Sequence, residues 1–219
     1  MPPQIGDFIS KAVYGGLLKS NPQHSVTTER MACHFVNIPS SEQPRGTSWK
    51  VSYFISISAV DQFRAQNLGE CQAILRIAAM LQAKKKRFRI ITPYDAQRSL
   101  IEEELKTNSL DWEDKCFNVD SFQGLFSRHI LRPFRDFLSS ATGNEEDYIV
   151  ISLVRSTALG FLADLRRTNV MLTRCKKGMI ICTSERFMRR AGCRSLVGNL
   201  LGYYDNQWVE KDELQTIEL

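Results

Sequence analysis

Four short runs in the second half of the chain carry apolar residues on both of their alternating faces, and helical patterns separate them. The strand-like runs are "FRIITPY" (Phe88 to Tyr94), "CFNVDSF" (Cys116 to Phe122), "DYIVISLV" (Asp147 to Val154) and "GMIICTS" (Gly178 to Ser184), with "MACHFVNI" (Met31 to Ile38) as an earlier one. A strand that is apolar on both faces has to be covered on both. Between the runs, "DAQRSLIEEELKT" repeats apolar residues at Ala96, Leu100, Ile101 and Leu105, with acidic residues facing outward. "NLGECQAILRIAAMLQAKKK" is a second helical pattern, ending in a basic run that reads as a solvated helix end. This alternation predicts an α/β fold, a mostly parallel sheet flanked by helices on both faces. Right-handed crossovers then gather the C-terminal strand ends on one edge, where such sheets bind ligands. The polar sequences at those ends are TPYDAQR, VDSFQG and VRS.

Hydrophobic residues make up 43% of the 219, enough for a substantial core, and the net charge of +5 is a mild bias toward anionic partners. The six cysteines show no CxxC pairing and the three histidines are isolated, which points to free thiols in a reducing interior and to no metal site. No secretory leader is visible, and no run reaches the roughly 18 apolar residues of a membrane span. An intracellular protein, cytoplasmic or nuclear, is the expectation.

The segments "ITPYDAQR", "VDSFQG", "NEEDYIVISLVRS" and "LGFLADLRRTNVMLTRCKKGMIIC" occur in that order. Together they resemble the second RecA-like domain of superfamily 1 helicases, in the branch of the nonsense-mediated-decay helicase. The likeness extends over most of the chain from Tyr14 onward and implies a RecA-like P-loop NTPase fold. In such motors ATP lies between two RecA-like domains, and the second contributes an arginine that reaches the γ-phosphate. Arg174 in "NVMLTR" stands at that position, and its permanently charged, forked guanidinium suits charge developing in phosphoryl transfer. Glu145 matches the acid that accepts hydrogen bonds from the ribose hydroxyls. Thr92, Tyr94, Ser121 and Gln123 match positions beside the nucleic-acid track, and Gln97 and Arg98 are read as orienting the same loop. Packing alone also accounts for Tyr94. Arg166 and Arg167 are read as structural or backbone-binding.

No GxxxxGKS or GxxxxGKT phosphate loop occurs in the chain. ATP with Mg2+ is therefore expected only where a first RecA-like domain is present, since nothing here cradles the phosphates. The family also carries a segment resembling Q-Y-R-M-P, and Met1 stands at its methionine. An N-terminally truncated product lacking its first RecA-like domain is the corresponding expectation.

Two stretches interrupt the family pattern, residues 51–66 ("VSYFISISAVDQFRAQ") and 125–143 ("LFSRHILRPFRDFLSSATG"). Surface insertions, lineage-specific regulatory loops and in-frame retained introns are the three readings. Val51-Ser52 is compatible with a splice-donor sequence and Gln66 with an acceptor, and Gly124 and Thr142-Gly143 offer the same pair. The second stretch lies between Gln123 and Glu145, where a loop can displace the acid. The main domain is expected over 1–190, followed by a C-terminal helix and acidic tail over 191–219.

Two functions of different classes follow. One is the C-terminal motor domain of an ATP-dependent helicase acting on single-stranded RNA or DNA, unable to hydrolyse ATP alone. The other is a non-catalytic nucleic-acid-binding module, or a helicase fragment without function.

Overall fold

The computed structural model describes residues 1–26, 31–44, 65–120 and 145–217. Its elements, in chain order, are α1 (Pro3–Tyr14), β1 (Cys33–Asn37), β2 (Gln43–Pro44), β3 (Ala65–Gln66), α2 (Leu68–Ala83), β4 (Phe88–Thr92), α3 (Asp95–Thr107) and β5 (Cys116–Asn118). They continue as β6 (Glu146–Ser152), α4 (Leu165–Leu172), β7 (Cys175–Thr183), α5 (Glu185–Arg189), α6 (Leu196–Tyr203) and β8 (Val209–Glu210). Six strands form one sheet in the order β5-β4-β6-β7-β1-β8, and every pairing within it is parallel.

The both-faced apolar strands have the expected consequence. On β6, Ile149 and Ile151 enter one core while Tyr148 and Val150 enter the other. On β7, Met179 and Ile181 oppose Ile180 and Cys182 in the same way. The first core lies under α1, α4 and α6, through Phe8, Ile9, Met171, Leu172, Leu200 and neighbours. The second lies under α2 and α3, through Ile74, Ile77, Leu81, Ile101 and Leu105. Each isoleucine taken fully out of water in this way contributes about 1.5–3 kcal/mol. This is an α/β, RecA-like fold.

Local chemistry sets the helix limits. Asn67 caps α2, its side chain accepting from the Glu70 amide at 3.1 Å. Asp164 caps α4 by accepting from the amides of Arg166 and Arg167. Helix α1 starts with Pro3 in its first turn and stops at Gly15, which takes the left-handed conformation (φ 61°) that suits glycine.

Two details go beyond the sequence reading. Within the acidic C-terminal stretch, Val209 and Glu210 pair parallel with Val36 and Asn37, and Trp208 lies edge-on to Phe35 at 5.8 Å. At the end of the first interruption, Ala65 and Gln66 pair antiparallel with Pro44 and Gln43, and the Gln66 side chain donates to Ala96 O at 2.9 Å. The remainder of that stretch, and the whole of 125–143, lie outside the described residues.

Candidate nucleotide and nucleic-acid edges

The residues singled out in the sequence fall on opposite edges of the sheet. Arg174 immediately precedes β7 and Glu145 immediately precedes β6, so both stand where strands begin. Glu146 is in register with Cys175, and the Glu146 amide donates to Arg174 O at 3.2 Å. Arg174 and Glu145 are thus neighbours across one interstrand step of about 4.8 Å.

The end of α4 aims the Arg174 guanidinium. Its Nε donates to Val170 O at 2.9 Å and its Nη2 to Thr173 Oγ1 at 3.1 Å. Helix C-termini leave carbonyls unsatisfied and carry partial negative charge, so the arginine is held by the backbone. Among the described residues no carboxylate pairs with it, and its remaining donors suit a phosphate oxygen. Glu145 is half-buried beside it and suits a pair of hydroxyl donors. Among the described residues no group of three or more His, Cys, Asp or Glu side chains is arranged to hold a metal ion. On the same edge, Asp147 accepts from Lys177 Nζ at 3.0 Å and from Arg87 Nη2 at 3.2 Å. Burial pushes the Asp147 carboxyl upward, but these two cations outweigh it and hold it below the usual carboxylate range.

The opposite edge, where strands end, is built from buried polar bonds. Thr92 closes β4 and is wholly buried. Tyr94 is 1% exposed, and its hydroxyl accepts from the Phe161 amide at 3.3 Å. Burial raises the Tyr94 phenol above its ordinary value. Gly160 meets it with φ +51°, and a Cβ there would lie 2.6 Å from the Tyr94 hydroxyl, so glycine is required twice over. Gln97 is also buried. Its amide grips Asn67 from both sides, accepting from Asn67 N at 2.8 Å and donating to Asn67 O at 3.1 Å, and it donates to Ser152 Oγ at 3.2 Å. The side chains of Thr92, Tyr94 and Gln97 therefore lie beneath this edge rather than on it. Ser121 and Gln123 lie outside the described residues.

At the centre of this network is Glu70, which the sequence reading passed over. It sits in the first turn of α2, 1% exposed, and its Oε2 accepts from Ser152 Oγ at 2.6 Å and from the Val154 amide at 2.9 Å. An Asn followed three residues later by Glu resembles a capping box, in which the acid returns to the cap amide. Here that amide is taken by Gln97, and Glu70 reaches across to the end of β6. Burial raises its carboxyl to about 8, against the lowering effect of Ser152 and the backbone donors. Val154, a β-branched residue, has φ +66°. Such strain persists only where surroundings over-determine it. Glu70 holds its amide, and Asn67 Nδ2 donates to its carbonyl at 3.2 Å. Beyond it, Arg155 Nη1 lies 2.9 Å from Glu42 Oε2, and Thr157 Oγ1 donates to Glu42 Oε1 at 2.8 Å.

Helix α4 joins the two edges. Arg167 in its first turn forms a two-pronged ion pair with Asp120, just past β5, and stacks over the Phe161 ring at 4.6 Å. Arg174, just beyond its last turn, lies on the other edge, with about 10 Å of helical rise between the two positions.

A model of the AAA domain family matches residues 1–131 and 138–186. The chain is 31% identical over 209 residues to the ATP-dependent helicase NAM7 of Saccharomyces cerevisiae, covering 87% of this chain and 18% of the relative. It is 26% identical over 201 residues to the ATP-dependent helicase upf1 of Schizosaccharomyces pombe, covering 87% and 19%. It is 29% identical over 218 residues to regulator of nonsense transcripts 1 of Dictyostelium discoideum, covering 95% and 14%. The chain thus spans less than a fifth of the length of these curated relatives. With four ordered motifs, an all-parallel six-stranded sheet and a family match over most of its residues, the chain belongs to the AAA domain family, as a helicase-like domain of the nonsense-decay branch.

Proposed function

We propose that this chain is the second RecA-like motor domain of an ATP-dependent helicase, working against a first RecA-like domain that carries the phosphate loop. The observation that carries this reading is the division of labour between the edges. Arg174 and Glu145 adjoin where strands begin, the TPYDAQR and VRS segments meet where strands end, and α4 connects them.

When bound between the domains, ATP with Mg2+ supplies the phosphoryl group whose transfer releases energy. Arg174 donates N–H groups to phosphate oxygens, from a guanidinium pre-set by Val170 O and Thr173 Oγ1. Glu145 accepts from the ribose hydroxyls. The opposite edge takes single-stranded RNA or DNA. Its exposed backbone and outer hydroxyls make the contacts, while Thr92, Tyr94 and Gln97 fix the loops from below. The helicase names of the relatives support this assignment, which implies an intracellular setting, cytoplasmic or nuclear.

The test is reconstitution. Mixing the chain with a separately expressed phosphate-loop domain should raise ATP hydrolysis above that of the phosphate-loop domain alone, and Arg174→Ala should abolish the gain. Unchanged hydrolysis with intact single-strand binding assigns a non-catalytic binding module instead.

A further inference from the structure

A cleft of about 370 Å3 opens on the strand-end edge, beyond the β4 and β5 ends discussed above. It lies where β1, β6 and β7 finish, and its polar lining includes Ser40, Ser156, Thr157, Ser184, Arg186 and Arg190. Nothing in the nucleotide reading uses it.

Charge accounting decides what it can hold. The two carboxylates on the segments that line it, Glu42 and Glu185, are each already matched, and Glu210 behind them accepts from Asn37 Nδ2 at 3.2 Å. Glu42 is held by Arg155 and Thr157, and Glu185 accepts from Arg189 Nη2 at 2.6 Å and Nε at 2.9 Å. Arg186 and Arg190 have no carboxylate partner among the described residues, so two full positive charges face the cleft. Both side chains line the same cleft. Ser40 gives its proton to Asn67, whereas Ser156 and Ser184 can donate toward the cleft. Ser156 Oγ accepts from the Glu42 amide at 3.2 Å, which leaves its proton available, and Ser184 caps no amide. Two guanidinium groups converging with serine hydroxyls suit a tetrahedral oxyanion.

The cleft is also anchored to the rigid part of this edge. Ser40 Oγ donates to Asn67 Oδ1 at 2.5 Å, and Asn67 is gripped by Gln97. The floor of the cleft and the TPYDAQR turn are thus tied to one residue.

We infer that this cleft, with Arg186 and Arg190, binds a backbone phosphate of a single-stranded nucleic acid, extending the track from the β4 end across β6 to β7 and β1. The inference rests on the proposed nucleic-acid reading and adds a site to it.

The test is fluorescence anisotropy of a labelled oligouridylate with the full chain, repeated over a KCl series. Single-strand binding loses about 0.7 in log–log salt slope for each phosphate contact removed. Arg186→Ala/Arg190→Ala should weaken binding and make the slope shallower by about 0.7 for one contact or about 1.4 for two. Arg186→Lys/Arg190→Lys, which keeps the charge, should retain most of the slope. Lys84→Ala/Lys85→Ala, past the end of α2 where strands begin, should leave it unchanged. A wild-type chain without affinity for the oligonucleotide removes both the nucleic-acid reading and this site. Wild-type binding with an unchanged slope in the double alanine variant overturns the cleft alone. Loss of inorganic phosphate binding with oligonucleotide binding intact assigns a free anion, and overturns the strand assignment.

Discussion

Where strands begin, the sheet presents charge held by a few outward bonds, whereas where they end it hides its polar groups in a closed network. Arg174 uses two donors on its own helix end, and Asp147 is shared by Arg87 and Lys177, both of which reach solvent. At the other edge Asn67, Glu70, Gln97 and Ser152 satisfy one another beneath the surface. A closed buried network is costly to break, because each lost partner strands a desolvated group. An outward charge is cheap to remove from the fold and expensive only to the chemistry that uses it. The edges should therefore respond oppositely to substitution.

Arg174→Ala is the strongest way to break this contrast. Loss of a phosphate-directed arginine costs about 10³-fold or more in turnover. Hydrolysis by the reconstituted pair should fall by that order while the melting temperature of the chain stays almost unchanged. A large loss of stability would mean that Arg174 serves the fold.

Glu70→Ala is the mirror experiment. It leaves Ser152, the Val154 amide and Asn67 short of an acceptor, and should cost about 3 kcal/mol or more in chemical denaturation. The strained Val154 should relax with it, loosening the VRS segment.

Acidity sharpens the same point. Burial raises Glu70 in the folded state to about 8, well above the unfolded value of about 4.3. The folded chain holds this proton more tightly, so the contribution is full below the unfolded value and is lost as pH climbs through 8. Between pH 5.5 and 8.5 the wild type should lose on the order of 3 kcal/mol relative to Glu70→Gln, which has no proton to release. Parallel pH curves for the two would remove Glu70 as the titrating group.

The smallest effect should come from Tyr94→Phe. It removes one acceptor from the buried Phe161 amide and should cost about 1 kcal/mol, read as a drop of a few degrees in melting temperature. A change in oligonucleotide affinity without any loss of stability would instead put the hydroxyl on the track.

The strands and α3 were legible because periodicity is a local signal, and Asp95–Thr107 coincides with the helical pattern read there. Helix α1 was not read as a helix, although Pro3 and Gly15 bracket it and Ile5, Phe8, Ile9 and Val13 keep a helical spacing. β8 is two residues long and carries no period at all. In the candidate site, the sequence reveals which residues are present but not which way they turn. Tyr94 turns inward because Phe161 waits 67 positions away, and Gln97 because Asn67 lies 30 positions before it. Glu70 reads as an ordinary first-turn acid, and only the approach of β6 makes it a hub.

The small β2–β3 pairing has a consequence for how this chain tolerates change in length. Residues 44 and 65 are partners, so the two ends that flank 45–64 lie side by side. Closing a longer loop there costs only logarithmically more, about 0.6 kcal/mol per doubling, so growth from four residues to twenty adds about 1.4 kcal/mol. The core receives the same two ends whatever lies between them. That makes this doorway a place where sequence can accumulate, be trimmed or be replaced by a reporter while the RecA-like fold behind it keeps its register.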